Sequence, residues 1–206
     1  MIKFRKLTAD EVEVRVGAIG SKFVTLLLYK NARVDMQILD ETVGPENWQR
    51  EHYECKGNLF CRVGIYCVVH QEFKSHEDWV WKADCGSESY TEKEKGEASD
   101  SFKRACTNWG IGRELYTGPT IFVPLEDAKV KDGKCYTKFK VTEIGYDEDG
   151  KINALTIVRL GFNGNIEDIV YSFGNTKAID DLKKPGKPAP KTERTNAPPT
   201  EYRRGT

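Results

Sequence analysis

The stretch Lys95-Gly-Glu-Ala-Ser-Asp-Ser-Phe-Lys-Arg-Ala-Cys-Thr-Asn-Trp109 decides how the rest of the chain reads. Ala98, Phe102, Ala105, Cys106 and Trp109 recur at i, i+4, i+7, i+8 and i+11, a single apolar stripe along a helix. The pattern predicts a helix over residues 91–109. Thr91 is placed to cap it, Glu92 and Glu94 favour the positive end of its dipole, and Gly110 and Gly112 end it. Lys103 and Arg104 leave the stripe on its two flanks, where long basic side chains reach past the edge of a core.

Upstream, the period changes from helical to strand-like. Trp48 to Cys55, Leu59 to Val69 and Asp78 to Cys85 are rich in β-formers. Lys56-Gly57-Asn58 and a polar loop from His70 to Glu77 separate them, which predicts a three-stranded antiparallel meander. Before it, Lys22 to Tyr29 reads as a largely buried strand and Asn31 to Thr42 as a helix stopped by Gly44-Pro45. Thr8 and Glu11 have capping-box spacing for a brief helical turn.

Downstream, Tyr136–Glu143, Asn153–Leu160 and Glu167–Phe173 read as strands, with Asp132-Gly133, Asp149-Gly150 and Asn163-Gly164 as turn signals. A short helix is expected at Thr176–Leu182. The expected class is α+β: an antiparallel β-meander packed on a long helix (a β-β-β-α core), with a β-rich C-terminal extension. From Lys183 onward the chain holds five of the eight prolines and almost no large aliphatics. That composition predicts a flexible basic tail, either a solubilising end or a tether for DNA or a partner.

The 38% hydrophobic content supports a sizeable core, and no apolar run is long enough to span a membrane. The first residues lack the apolar segment of a signal peptide, so the cytoplasm is the expected compartment. The six cysteines contain no C-x-x-C pair, and several sit in apolar runs, which predicts buried, reduced thiols. The net charge of zero is unevenly distributed. Residues 183–206 carry seven Lys/Arg and two Asp/Glu, a net +5, leaving the body at −5. A polyanion site on that body has to be a local patch.

Motifs for chemistry are missing. The sequence has no phosphate-cradling G-x-x-x-x-G-K-[ST] loop, G-x-S-x-G or H-E-x-x-H. Carboxylates such as Asp35, Asp40, Glu41, Asp84 and Glu88 lack metal-ligand spacing, so solvated or capping roles are expected for them. No cofactor and no catalytic residue is expected, and the anticipated mode is binding. Trp48, Trp81 and Trp109 suit base stacking by type, but their positions in the stripe and strands favour packing.

Tyr29-Lys-Asn-Ala-Arg33-Val, the run Val43-Gly44-Pro-Glu-Asn-Trp48, Gly57-Asn58-Leu59-Phe60, Val63-Gly64-Ile65 and the Lys95–Ala105 helix together resemble the conserved core of the Rad52/22 family of single-strand annealing proteins. The likeness covers residues 22–123 and is greatest to the short forms carried by phages and prophages of bacteria. The resemblance implies a single-strand annealing core over residues 1–123; residues 124–182 lie outside it and are read from their strand pattern as a β-rich extension of the same domain. It implies ATP-independent binding and annealing of single-stranded DNA in recombination and double-strand break repair, by a homo-oligomeric ring in a bacterial host cell.

It also implies DNA contacts at Arg33, Lys103 and Arg104. An arginine that the family carries three positions after the Lys-Arg pair is replaced here by Thr107. Arg113, Lys82, Arg62 or Lys74 are candidates to compensate, and Lys30 is a further one. For Arg33 the competing reading is an ion pair with Asp35, Glu41 or a strand carboxylate. Two other classes stand beside annealing: a metal-dependent nuclease using the scattered carboxylates, and a module that protects DNA ends or recruits a replication or recombination protein through its tail.

Overall fold

A computed structural model describes residues 2–67, 79–87 and 93–174. Among these residues lie nine strands, β1 (Val12–Ile19), β2 (Phe23–Lys30), β3 (Trp48–Cys55), β4 (Asn58–Tyr66), β5 (Trp79–Cys85), β6 (Ile121–Pro124), β7 (Lys138–Tyr146), β8 (Ile152–Leu160) and β9 (Ile166–Phe173). Two α-helices, α1 (Ala32–Val43) and α2 (Lys93–Trp109), complete the frame. The loop His70–Glu77 with Lys74, Glu88, the Thr91 cap with Glu92, the expected helix at Thr176–Leu182 and the basic tail all lie outside the described residues.

The architecture is α+β with three antiparallel sheets, ordered β1-β2-β6, β3-β4-β5 and β7-β8-β9. The β3-β4-β5 meander is the expected one, and β3 has the expected ends. Its inner face carries Cys61, Val63 and Ile65, all fully buried. Helix α2 lies against β4 and β5 and meets them with Phe102, Ala105 and Cys106. Ser101 is also buried, its hydroxyl donating to the Ala98 carbonyl, which satisfies a polar group in the core. Helix α1 is capped by Asn31, whose side chain accepts from the Arg33 N–H, and it ends at Gly44 with φ +86°.

Three features depart from the sequence reading. The segment Val12–Ile19 is a strand, β1, paired with β2 in register Val12↔Lys30 to Ile19↔Val24. Residues Ile121–Pro124 form β6 on the other side of β2, so the first sheet joins segments that α2 separates in the chain. And β2 is not largely buried: Val24, Leu26 and Lys30 face the core while Phe23 and Leu27 are exposed. With only one face of the sheet covered, alternate side chains along β2 point to solvent. In the C-terminal sheet, Asp149-Gly150 joins β7 to β8 and Asn163-Gly164 joins β8 to β9. Asp132-Gly133 lies instead in a small turn closed by the Lys131↔Lys134 bridge.

The N-terminal segment is tied down by long-range polar contacts. The buried Glu114 carboxylate accepts the Leu7 N–H at 2.9 Å, and the Tyr146 hydroxyl donates to the Leu7 carbonyl at 2.8 Å. Arg5 bridges Glu11 and Glu41. The Glu11 carboxylate accepts the Thr8 N–H, the return bond of the expected capping box. All six cysteines are free thiols; Cys61 and Cys106 are buried, but Cys55 is exposed, because its end of β3 extends beyond the core.

Candidate nucleic-acid interface

Residues Thr25 to Lys30 of β2, the solvent flank of α2 and the chain from Gly112 to Ile121 line a cleft of about 450 Å³. Leu27 and Tyr29 of β2 form part of its floor, Arg15 of β1 one edge, Lys103, Arg104 and Thr107 of α2 a wall, and Tyr116 its mouth. Lys103 and Arg104 reach it because the core side of α2 is occupied by Phe102, Ala105 and Cys106. Their side chains keep 27% and 46% of their exposure.

Each cation has an acidic neighbour. Lys103 Nζ lies 4.0 Å from Asp100, and Arg104 Nε donates to Asp84 at 3.2 Å. Burial, the largest single influence, works against the Arg104 charge, but the Asp84 bond together with the charges of Asp84, Asp100 and Tyr116 outweighs it, and the guanidinium pKa is raised. Pairs this exposed hold a side chain in place weakly and exchange readily for another anion. Tyr29 sits 5.7 Å from the Arg15 guanidinium. Burial and a bond to Glu13 push its hydroxyl up to about 12, so the ring is neutral at ordinary pH. Tyr116 is 74% exposed, an aromatic ring held in water at the edge of a cationic cleft.

Beneath the cleft, Lys30 Nζ donates to Asp35 and, at 3.3 Å, to the Lys103 carbonyl. Lys30 lines the cleft by its stem, but its ammonium is buried in this pair. Asp35 is fully buried, which corrects the expectation of a solvated or capping carboxylate. Burial pushes its carboxyl up to about 6 against the pull of Lys30. Of the carboxylates singled out above, the other three that are described are also engaged: Asp40 accepts from Trp48 Nε1, Glu41 from Arg5 and Gln37, Asp84 from Arg104 and Asn108. Among the described residues, no three His, Cys, Asp or Glu side chains converge as metal ligands would.

Arg33 stands on the first turn of α1, exposed, and does not line the cleft. Among the described residues its guanidinium forms none of the ion pairs weighed for it, Asp35 being held by Lys30 and Glu41 by Arg5. Thr107 does line the cleft, its hydroxyl turned back to the Lys103 carbonyl. Arg113 donates to the Thr107 and Asn108 carbonyls, and Lys82 donates to the Asn108 carbonyl over the Trp109 ring. Both therefore neutralise the C-terminal end of α2. Arg62 bonds Glu51 over the Trp81 ring on the far face of the meander. Trp48 stacks on Phe102, and Trp109 Nε1 donates to the Val63 carbonyl, so these indoles serve packing.

Arg15, Tyr29 and Tyr116 were not among the residues chosen from the sequence. The alternation Phe23, Thr25, Leu27, Tyr29 was the available signal for an outward β2 face. Arg15 comes from a strand that the sequence reading left unassigned.

An α+β frame thus holds Arg15, Lys103 and Arg104 together with Tyr29 and Tyr116 around one cleft. The model of the family described as Rad52/22 family double-strand break repair protein matches residues 4–134, and the chain belongs to that family. Membership places it in DNA recombination and repair, the general setting of that family's annealing proteins. No curated protein and no solved structure matches the chain. The match ends before β7, so it covers the first two sheets and α2 but not the C-terminal sheet. No helix among the described residues is long and apolar enough to cross a membrane.

Proposed function

We propose that the cleft binds single-stranded DNA and that the chain anneals complementary strands without nucleotide hydrolysis. The observation that carries this reading is the meeting of Lys103 and Arg104 with Arg15 and two tyrosines around one cavity. Ammonium and guanidinium groups hold phosphates without reading sequence, and rings accept any base face. Annealing draws its free energy from duplex formation. Held strands need only to keep their bases available, so a binding cleft suffices without a catalytic group.

A net −5 body makes one such cleft a weak ligand for DNA, and repetition of it in a ring of identical subunits would raise avidity. Action in a bacterial host cell, phage or prophage origin, and a role for the tail in recruiting a partner belong to the same proposal. Arg33 is retained in it as a contact outside the cleft, on a strand passing from one subunit to the next.

The test is Lys103→Ala with Arg104→Ala, assayed with labelled single-stranded oligonucleotide. The expected result is loss of binding with folding and oligomer size unchanged. Binding of the native protein should weaken with salt at a log–log slope of about −0.7 per phosphate held. Undiminished binding by the double variant refutes the assignment.

A further inference from the structure

Strands β1 and β7 lie side by side but form no ladder: among the described residues, β1 pairs with β2 and β7 with β8. The slot between their edges is a second cavity, of about 530 Å³, within the range of ligand clefts. Arg15 and Tyr29 line both cavities, so the slot adjoins the cleft already described. Its far side is built by Tyr136, Thr137, Lys138 and Lys140. Those residues follow the end of the family match, and nothing in the family reading assigns them.

Two of them are poised outward. Tyr136 is 80% exposed, and a ring so solvated contributes little to the core. The Lys138 ammonium has no hydrogen bond or ion pair among the described residues, whereas Lys140 bonds Asp10 at 3.1 Å. Arg15, Lys138 and Lys140 face Asp10 and Glu13 there, an excess of one positive charge. An aromatic ring beside a free ammonium, next to a shared arginine and tyrosine, is the pairing that stacks a base and holds its phosphate.

We infer that the slot between β1 and β7 is a further nucleic-acid subsite, in which Tyr136 stacks a base and Lys138 holds a phosphate of the strand leaving the main cleft. The inference rests on the reading of that cleft as a single-strand site. An extended peptide adding to a free edge is the competing occupant. The edges oppose it: β1 is bulged between Val16 and Ala18 and β7 between Val141 and Glu143, and bulges twist an edge away from pairing.

The test compares the full chain with Tyr136→Ala plus Lys138→Ala, using an oligothymidylate of about six nucleotides and one of about thirty. The shorter strand is expected to bind both proteins alike in the main cleft. The longer should lose about tenfold in affinity on the variant, the usual worth of one stacked base, and its salt slope should shrink by about 0.7. Tyr136→Phe is expected to retain binding, since the ring and not the hydroxyl is used.

In the native protein, a bromodeoxyuridine strand should crosslink to Tyr136 on irradiation, a readout that does not depend on any variant folding. Equal affinity and slope for the long strand, with no crosslink at Tyr136, overturn the inference and leave the slot to a peptide. If Lys103→Ala with Arg104→Ala also binds normally, the reading of the main cleft has failed instead.

Discussion

Lys30 and Asp35 form an ion pair buried beneath α2, and the same ammonium reaches the carbonyl of Lys103. One side chain thus links β2, α1 and the helix that carries the cationic wall. A buried pair is costly to break and often replaceable as a unit. Asp35→Ala alone should destabilise the fold by about 3–5 kcal/mol, by leaving a buried ammonium unpaired. Lys30→Met with Asp35→Leu should recover most of that loss. Denaturant unfolding of the three proteins checks it.

The same pair predicts a pH dependence. With its carboxyl near 6 in the folded state and 3.8 as the unpaired reference, Asp35 holds a proton between those values that the unfolded chain has released. Stability from this group is therefore full below about 4 and is lost as pH rises through about 6. Glu11, whose pKa is lowered mainly by its bond to Arg5, has the opposite sign, and its contribution fades as pH falls below 4.5. Unfolding curves at pH 5 and pH 7 should differ by less in Asp35→Asn than in the native chain.

Gly112 and Gly110 separate strain from crowding. Both have positive φ, +69° and +105°, and only Gly112 lies in the left-handed region that other residues reach. Backbone strain alone makes Gly110→Ala the worse change, at about 1–3 kcal/mol. A Cβ on Gly112, however, would fall 2.2 Å from Lys30 Cε, a side chain held by Asp35, while one on Gly110 meets no atom within 4 Å. Gly112→Ala is expected to be the more destabilising of the two in thermal unfolding.

Asp84 restrains Arg104 at the cleft. Asp84→Asn should tighten single-strand binding by up to about fivefold, by weakening the competing pair, at little cost in stability because the pair is exposed. Fluorescence anisotropy measures the gain. The nuclease reading predicts instead a magnesium-dependent cleavage that Asp84→Ala abolishes.

Cys55 should be the fast-reacting thiol. It is exposed, whereas burial pushes the Cys61 thiol up to about 11 and raises Cys106 well above its usual value. A colourimetric thiol reagent should show a rapid phase that Cys55→Ser removes.

Much of the frame was legible along the chain because it is local. The stripe from Ala98 to Trp109 had to lie on a helix, and β3, the Gly44 stop and the Asp149-Gly150 and Asn163-Gly164 turns follow from side-chain period and from turn chemistry within a few residues. Lys103 and Arg104 were visible for the same reason, as the flanks of a stripe. The first sheet was so only in part: β1 turns tightly into β2 and its Val12, Val14, Val16 alternation is a local strand signal, whereas β6 has four residues and meets β2 only through a pairing far apart in sequence.

Residue order therefore determined by itself the two helices, the β3-β4-β5 meander and the three C-terminal strands, where α2 turns its basic flank, and that no phosphate-loop motif is present. Only the tertiary structure decided that Lys103 and Arg104 share a cleft with Arg15, Tyr29 and Tyr116. It also decided that Asp35 is a buried partner of Lys30, and that Lys82, Arg113 and Arg62 are held elsewhere. Local conformation depends on neighbours in the chain, whereas a cleft depends on which surfaces packing brings together.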